Sequence, residues 1–314
     1  MVTVAVAGGT GGVGRTLVDA ILASGKHDLK ILSRKANPEL EAELKTPIIA
    51  VDYADVEGLA RVLEENNVHT VISALNMAQL GDNVPREPEL IRAADASKTT
   101  KRMISSDWGP PLTGERITQL PSGPPKVAAL AELQKVTNLE TTIVQCSFFL
   151  DNWGSSKVKT HMSTLTVAVD IANRTAAIPG SGDVPAIFTH TRDLARFVTL
   201  LLDQEKWDPV TYVTGDHLTL NEFVRLAEEV TGEKFTVTYD SLEKLKKGEA
   251  TELPSHVALY PYFPKQALQP MVSIFGAWFE EGVANFNVDK TLNDQFPEVK
   301  VWSVKDFLQD AWGA

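Results

Sequence analysis

The chain has 314 residues, a formal net charge of −11 at pH 7 and one cysteine, Cys146. Apolar residues make up 43% and charged residues 23% of it, the proportions of a soluble globular protein with a sizeable core. The acidic balance argues against nucleic-acid binding, and the single cysteine excludes an intramolecular disulfide and a multi-cysteine metal site. No apolar run reaches the ~20 residues of a membrane span. We therefore expect a cytoplasmic protein that binds no nucleic acid, membrane or metal.

The first fifteen residues predict a buried strand, a glycine-rich turn and the start of a helix. Val2–Ala7 is a short apolar run, and Leu17, Val18 and Ile21 then share one face at helical spacing. The turn between them has five glycines, which satisfy both G-x-x-G-x-x-G and G-x-G-x-x-G: Gly8, Gly9, Gly11, Gly12 and Gly14.

A turn of this kind lets the backbone approach a pyrophosphate closely, and the helix after it presents its N-terminal N–H groups to the phosphates. A purely structural turn also uses glycine. The position between an N-terminal strand and an amphipathic helix favours dinucleotide binding. The residues of this turn that we expect to contact the dinucleotide are Gly8, Thr10, Gly11, Gly12, Val13 and Gly14.

The second predicted strand, Asp28–Arg34, ends where a dinucleotide fold meets the adenosine ribose. An acidic residue there would bind the 2′-hydroxyl of NAD and repel a 2′-phosphate. This strand instead ends at Ser33, Arg34 and Lys35, and the next carboxylate is Glu39. Because a guanidinium forms a fork with a phosphate, we expect NADP(H) rather than NAD(H) as the cofactor. The alternative is that the two cations only solvate a loop.

Strands and helices continue to alternate as far as about residue 150. The predicted strands cover residues 47–53, 68–75, 101–109 and 141–150, and the predicted helices cover residues 56–66, 87–96 and 126–136. This alternation indicates an α/β fold, a Rossmann-type doubly wound parallel sheet with ligands beyond the carboxyl ends of the strands. The cofactor contacts expected at these strand ends are Asp52, Tyr53, Ala74, Leu75, Ser105 and Ser106. A solvated loop acid is an equal alternative for Asp52.

The regular alternation breaks down after residue 154. The following residues, 155–184, are small and polar, and we expect them to cover the substrate. We predict two parts, a cofactor domain of residues 1–154 and 185–217 and a smaller C-terminal substrate-binding subdomain of residues 155–184 and 218–314.

The C-terminal region begins with a clear helix signal. Thr219 and Glu222 have the spacing of a capping box, and Gly232 is placed to end the helix that follows. Further along, aromatic side chains recur at helical spacing over residues 271–283. This spacing favours core packing, and a wall of an aromatic-accepting pocket is the alternative.

A bound nicotinamide makes hydride transfer the expected reaction, and the protein must then supply a proton or polarise the accepting group. Short-chain dehydrogenases use a Tyr-x-x-x-Lys pair on one helix for this purpose. None of the five tyrosines in this chain has a lysine four residues later. The standard pair is therefore excluded, although reductase activity is not.

Taken together, the motifs resemble the NmrA-like and isoflavone-reductase-like branch of the atypical short-chain dehydrogenases, and its fungal members most of all. The resemblance covers nearly the whole chain and is specific for the fold and the cofactor, but not for the substrate. The matching segments are Gly8–Gly14, Ser33–Arg34, Ser105–Gly109, Thr141–Gly154 and Phe188–Leu194.

The resemblance implies a catalytic lysine. In isoflavone and phenylcoumaran benzylic ether reductases, a lysine that opens the helix before the sixth strand is the general acid/base. Lys126 matches this position and is expected to contact the cofactor as well. Counted back from Thr141, the family spacing falls on Val127, so aligning Lys126 requires a one-residue insertion. The alternative is a solvated lysine in the first helical turn.

Two functions follow from the resemblance. The first is an NADPH-dependent reductase that transfers hydride to a small aromatic or conjugated carbonyl, enone or benzylic substrate, with Lys126 as the acid and Trp108, Phe149 and Trp153 as substrate contacts. The second is a non-catalytic NADP(H)-binding redox sensor of the NmrA type, since the same glycine loop serves both. We expect a monomer or homodimer, and the sequence identifies neither the substrate nor the stereochemistry.

Overall fold

The computed structural model describes residues 1–78 and 84–313. The strands are β1 (Thr3–Ala7), β2 (Asp28–Ser33), β3 (Ile48–Ala50), β4 (Thr70–Ser73), β5 (Arg102–Gly109), β6 (Glu140–Gln145), β7 (Phe148–Phe149), β8 (Val169–Asp170), β9 (Thr175–Pro179), β10 (Pro185–Thr189), β11 (Val210–Tyr212), β12 (Asp216–Thr219) and β13 (Thr236–Asp240). The α-helices are α1 (Gly12–Ser24), α2 (Pro38–Leu44), α3 (Val56–Glu65), α4 (Glu87–Ala96), α5 (Gly123–Leu133), α6 (Thr191–Leu201), α7 (Leu220–Thr231), α8 (Leu242–Lys246), α9 (Pro254–Leu259), α10 (Lys265–Glu280), α11 (Leu292–Gln295) and α12 (Val304–Trp312). Short 3-10 helices cover Gly114–Thr118, Leu150–Trp153 and Ile171–Asn173.

The chain divides into two compact units. The first unit comprises residues 1–108, 113–145 and 194–213. The second comprises residues 109–112, 146–193 and the chain from residue 214 onward. Relative to the predicted cofactor domain, the first unit lacks four stretches, 109–112, 146–154, 185–193 and 214–217.

The first unit is built on a seven-stranded sheet in the order β11-β6-β5-β4-β1-β2-β3. Strand β1 lies inside this sheet, next to the central strand β4, and is parallel to β2 on one side and to β4 on the other. The chain moves outward from β1 to β3 and then returns to continue from β4, so the strand order reverses between β1 and β4. Ligands bind beyond the carboxyl ends of the strands at such a reversal. The predicted Rossmann-type doubly wound sheet is confirmed.

One face of this sheet is covered by α3 and α4. Leu59 and Leu63 of α3 lie one turn apart, and both are buried with Leu90 of α4 against Val71 and Met103 from the strands. Each fully buried leucine contributes about 1.5–3 kcal/mol relative to an exposed one. This packing fixes β4 and β5, and therefore fixes the positions of the loops at their carboxyl ends.

The second unit contains two small sheets, β12-β10-β7 and β13-β9-β8. Its core includes a cluster of aromatic rings that pack stacked, tilted or edge to face: Phe148, Trp153, Phe188, Phe223 and Phe279. Phe279 and its neighbour Trp278 are both buried, as the helical spacing over residues 271–283 favoured. Aromatic residues earlier in the region differ, since Tyr262 is 88% exposed.

The prediction of one strand over residues 141–150 is wrong beyond Gln145. Ser147 has a φ of 61°, which breaks the extended backbone. The N–H groups of Cys146 and Ser147 both donate to the carbonyl oxygen of Gly109, at 3.0 and 3.1 Å. Phe148–Phe149 then pairs with β10 in a different sheet. The apolar pattern concealed this change because the residues on both sides of the break are buried.

Residues 155–184 contain more regular structure than their polar composition indicated. Strands β8 and β9 pair with each other antiparallel, and β9 also pairs in parallel with β13.

The predicted capping box is confirmed: the Glu222 N–H donates to Thr219 Oγ1 at 3.1 Å, and the Thr219 N–H donates to Glu222 Oε2 at 2.9 Å. Among the residues that the structure describes, no helix combines the length and apolar character needed to cross a membrane.

Candidate cofactor and active site

Two glycines of the turn after β1 are required by the packing of the chain itself. Gly8 has a φ of 77°, and a Cβ there would lie 2.6 Å from the carbonyl oxygen of Ala74. A Cβ on Gly14 would lie 2.3 Å from the carbonyl oxygen of Gly8. The turn therefore presses against the end of β4, and α1 presses against the turn, which is the close helix–strand approach that the motif predicts.

Gly11 has a different environment. It is the N-cap residue of α1, and no heavy atom of the described residues lies within 4 Å of the position its Cβ would take. No side chain caps this helix end, and the first turn of α1 has no acidic residue. Thr10 is exposed and Val13 is half-buried beside it. An open backbone surface at the N-terminus of a 13-residue helix suits a phosphate group, so the residues present fit a dinucleotide.

The end of β2 carries the predicted cations. Ser33 is half-buried, and its carbonyl oxygen accepts a hydrogen bond from the Val51 N–H at 2.8 Å. Arg34 and Lys35 follow directly and are exposed. Asp52, at the end of the neighbouring strand, is also exposed, and its Oδ1 accepts a hydrogen bond from the Ala54 N–H at 2.9 Å. Asp52 thus makes a local turn hydrogen bond, and Arg34 and Lys35 place two cationic side chains at the end of β2.

Tyr53 shares a hydrogen-bond acceptor with the glycine turn. Its side chain is buried, and its hydroxyl donates to the carbonyl oxygen of Leu32 at 2.9 Å. The same oxygen accepts the Gly8 N–H at 3.1 Å. Burial raises the pKa of the Tyr53 phenol well above its ordinary value, so the group remains a hydrogen-bond donor. Tyr53 thus acts on the turn through Leu32.

A buried carboxylate links the ends of β4 and β5, and the sequence reasoning missed it. Glu87 is the first residue of α4 and has no exposed surface. Its Oε1 accepts hydrogen bonds from Ser105 Oγ at 2.7 Å and from the Ser106 N–H at 3.0 Å, and its Oε2 accepts one from the hydroxyl of Ser73. Burial raises the pKa of Glu87, and the nearby charge of Asp107 raises it further. Acidic residues are so common at helix starts that no sequence pattern marks this role.

The predicted residues at the ends of β4 and β5 are joined to one another. Ser106 Oγ donates to the carbonyl oxygen of Leu75 at 3.0 Å, and the indole N–H of Trp108 donates to that of Ser73 at 3.0 Å. Ala74 and Leu75 are half-buried, and the Ala74 N–H donates to the carbonyl oxygen of Ala7 at 2.8 Å. The hydroxyls of both predicted serines therefore bind protein groups, and they shape the backbone at the point where the strand order reverses.

Lys126 lies in the first turn of α5, which begins at Gly123, three residues before the predicted start. Its ammonium Nζ is 2.5 Å from Oδ1 of Asp107, near the carboxyl end of β5. The two side chains are only 14% and 15% exposed, so Lys126 is not simply solvated. Val127, on which the family spacing falls, is 42% exposed. The structure thus pairs Lys126, rather than Val127, with β5.

Gln145, the last residue of β6, completes this group and was also missed. Its Nε2 donates to the second carboxylate oxygen of Asp107, Oδ2, at 3.4 Å, which is a long hydrogen bond. Its amide oxygen Oε1 is buried and has no donor among the described residues. Such a group costs about 1–3 kcal/mol when nothing compensates it, so a buried unpaired amide marks a position to explain. A glutamine at the end of an apolar strand carries no motif, and only the sheet order brings it to Asp107.

A comparison of the sequence with known protein families identifies the family of this chain. Residues 2–308 match the sequence model of the NmrA-like family. The chain belongs to the NmrA-like family. The resemblance inferred from the motifs is confirmed.

Two relatives match this chain over nearly their whole lengths. "Oxidoreductase BOA1" of Botryotinia fuckeliana is 35% identical, with 95% of this chain and 96% of the relative covered. "Oxidoreductase swnN" of Metarhizium robertsii is 34% identical, with 99% and 98% covered. A solved structure described as "AtPrR2 with NADP+ and (+)pinoresinol" has the same fold, with a TM-score of 0.74, 20% identity and 98% of each chain covered.

The remaining predicted substrate contacts lie in the second unit. Trp153 is buried between Phe188 and Phe223, with ring centroids 5.2 Å from each, and its indole N–H donates to the carbonyl oxygen of Val167 at 3.1 Å. Phe149 is half-buried in β7. Trp153 is thus a core side chain of this NmrA-like protein.

Proposed function

We propose that this chain is an NADP(H)-dependent reductase in which Lys126 donates the proton that accompanies hydride transfer. The class of activity rests on its family and on two relatives named oxidoreductases that match over nearly their whole lengths. The observation that carries the role of Lys126 is its ion pair with Asp107 at the carboxyl end of β5. The glycine turn follows β1 in the same parallel sheet and so lies at the same edge.

The cofactor assignment rests on two features of the first unit. The open surface at Gly11 and the uncapped start of α1 suit the pyrophosphate. Arg34 and Lys35 suit a 2′-phosphate, which favours NADP(H) over NAD(H). The half-buried backbone at Ala74 and Leu75 then forms the floor of the site. The solved structure with NADP+ supports this cofactor for the fold.

The chemistry divides between the cofactor and the chain. Bound NADPH would supply a hydride for an electrophilic carbon of the substrate. Lys126 transfers a proton from its ammonium group to the substrate oxygen on which negative charge develops, and it regains a proton from solvent afterwards. Asp107 holds the ammonium group before the transfer. The balance is one hydride and one proton added to the substrate, with NADP+ as the oxidised product.

We propose a small aromatic or conjugated carbonyl, enone or benzylic compound as the substrate. Pinoresinol, which the solved structure contains, is an aromatic compound with benzylic ether carbons, and this supports the class. Trp108 is half-buried next to Asp107 and offers an aromatic surface in the first unit. Its indole N–H is fixed on Ser73, so the ring orientation is set.

The test compares Lys126→Met with Lys135→Met. Lys135 lies just beyond the end of α5, is 67% exposed and pairs with Glu132, so it is a matched control. We expect Lys126→Met to lower kcat about 100-fold or more, the contribution typical of a general acid, with NADPH affinity little changed. Lys135→Met should behave like the wild type. The measurement is NADPH oxidation followed by absorbance over a panel of aromatic ketones, enones and benzylic ethers, together with calorimetric titration of NADPH.

Two results would contradict the proposal. Unchanged turnover in Lys126→Met would remove Lys126 from the chemistry. NADPH binding without turnover of any compound, combined with different affinities for NADPH and NADP+, would favour the redox-sensor alternative, because only a ligand with differential affinity shifts an equilibrium.

A further inference from the structure

Three side chains from separate parts of the chain meet at one corner of the sheet. Asp107 lies near the carboxyl end of β5, Gln145 ends the adjacent strand β6, and Lys126 projects from α5. The two oxygens of Asp107 have different partners: Oδ1 pairs with Lys126 Nζ at 2.5 Å, and Oδ2 accepts from Gln145 Nε2 at 3.4 Å. A carboxylate held from both sides has little freedom to rotate.

The surroundings of Lys126 differ from those of Lys135, the lysine just beyond the end of the same helix. Lys126 and Asp107 are 14% and 15% exposed, whereas Lys135, which pairs with Glu132, is 67% exposed. A flexible lysine in a surface pair retains most of its rotamers, and such pairs contribute little. A lysine that is mostly buried against one carboxylate oxygen is confined to one orientation, at the expense of desolvating both charges. A contribution to the free energy of folding is therefore a weak explanation for the presence of this ion pair.

The orientation of Gln145 is set by the same carboxylate. If its amide were reversed, Oε1 would face the oxygen of Asp107, and two acceptors would be in contact. With Nε2 on Asp107, the buried Oε1 has no donor among the described residues. An apolar side chain would fill this position without leaving an unpaired group. The amide is thus needed for its contact with Asp107 rather than for packing.

We infer that Asp107 and Gln145 are positioning residues for Lys126. Asp107 holds the ammonium group in one orientation at the cofactor edge of the sheet, and Gln145 holds Asp107. This inference rests on the proposed function, in which Lys126 is the proton donor. Neither residue touches the reacting atoms, and both act through Lys126.

The first test needs no substrate. Reductive methylation of the cofactor-free protein, read by peptide mass spectrometry, measures how accessible each lysine amine is. We expect Lys126 to react slowly in the wild type and about tenfold faster in Asp107→Asn, with the rate at Lys135 unchanged. Equal rates at Lys126 in the two proteins would overturn the inference, since Asp107 would not be holding the amine.

The second test is a double-mutant cycle on turnover. Asp107→Asn should lower kcat about 10- to 100-fold and leave the KM for NADPH unchanged, Asp107→Glu should recover part of the loss, and Gln145→Leu should lower kcat about three- to tenfold. In a Lys126→Met background, Asp107→Asn should have no further effect on kcat, because both changes remove the same function. Glu132→Gln is the control, since Glu132 is a comparably buried carboxylate of α5 whose partners are Arg92 and Lys135.

The outcomes separate this inference from the proposed function. If Lys126→Met is fully active, the proposed role of Lys126 fails and the positioning role fails with it. If Lys126→Met is impaired while Asp107→Asn keeps the wild-type kcat, only the positioning role fails. A loss in Asp107→Asn that raises the KM for NADPH, adds to that of Lys126→Met and matches a drop in thermal stability would assign Asp107 a structural role instead.

Discussion

The glycine turn after β1 and the corner formed by β4, β5 and α5 serve the same edge of the sheet by opposite means. In the turn, the absence of a Cβ on glycine is what matters: Gly14 allows α1 to approach Gly8, and Gly11 leaves open space at the start of the helix. The corner works through buried polar side chains, with Glu87 joining serines of β4 and β5, and Asp107 holding Lys126. Under the proposed function, the same edge would bind phosphate through its backbone and hold the amine of Lys126 through side chains.

The largest effect is expected at Glu87. Glu87→Leu would leave two serine hydroxyls and the Ser106 N–H without their acceptor in a buried site, which should cost about 2–4 kcal/mol in the free energy of unfolding. Glu87→Gln retains an oxygen acceptor and should cost about 1 kcal/mol. Urea denaturation measures both. The control is Glu89→Gln on the same helix, where the surface pairs with Arg86 and Arg92 contribute little. Equal stability of Glu87→Leu and the wild type would show that the serines do not depend on this carboxylate.

The next largest effects should distinguish a glycine that the packing requires, Gly14, from one that faces open space, Gly11. Gly14→Ala places a Cβ 2.3 Å from the Gly8 carbonyl oxygen, and such overpacking should destabilise the fold by about 1–3 kcal/mol. Gly11→Ala enters open space and should change stability by less than about 1 kcal/mol, yet weaken NADPH binding about tenfold or more, because the methyl group takes the space of the pyrophosphate. Thermal denaturation and calorimetric titration measure the two effects. Full NADPH affinity in Gly11→Ala would place the phosphates elsewhere.

A third effect concerns the choice of cofactor. Arg34→Ala should lower the preference for NADPH over NADH about 10- to 100-fold, since it removes the guanidinium expected to bind the 2′-phosphate. Affinity for NADH should change little. Titration of each cofactor into the variant and the wild type gives the ratio directly. Lys30→Ala is a suitable control, because Lys30 lies within β2 and pairs with Asp28. An unchanged ratio would mean that these cations only solvate the loop.

The smallest effect is a dependence on pH. The pKa of Glu87 is raised in the folded protein, so between the unfolded value of ~4.3 and the folded value the native state retains a proton that the unfolded state has released. The stability of the wild type should therefore fall relative to Glu87→Gln as pH rises through this window, by at most about 1.4 kcal/mol per pH unit. Urea denaturation of both proteins from pH 4 upward measures the difference. If the stability of the wild type instead rose relative to that of Glu87→Gln as pH increased, the pKa of Glu87 would not be raised in the folded protein.

The two regions were not equally accessible from the sequence. The glycine turn is part of a local pattern of fifteen residues, and the strand, the turn, the helix and their close approach at Gly14 all follow from local rules. Glu87 and Gln145 are not visible in this way. The register of β4 and β5 pairs Ile72 with Ile104, so Ser73 and Ser105 follow side by side and both reach Glu87. Only the assembled sheet brings them together.

Local conformation accounts for the remaining differences. The apolar run through Cys146 and Phe148 reads as one strand, and the left-handed backbone at Ser147 leaves no mark on hydropathy. The start of α5 was placed three residues late because Gly123, Pro124 and Pro125 resemble a continuing loop, although proline is well suited to the first turn of a helix. Lys126 is therefore not the opening residue of its helix, and its pairing with Asp107 depends on that earlier start.

The proposed role of Lys126 as the proton donor can be tested with a crystal structure of the protein bound to NADP+ and an unreactive substrate analogue. We predict that Lys126 Nζ remains paired with Asp107 and reaches the oxygen of the analogue directly or through one water, while the guanidinium of Arg34 contacts the 2′-phosphate. A structure in which Lys126 points into solvent, with another side chain beside the nicotinamide C4, would contradict it.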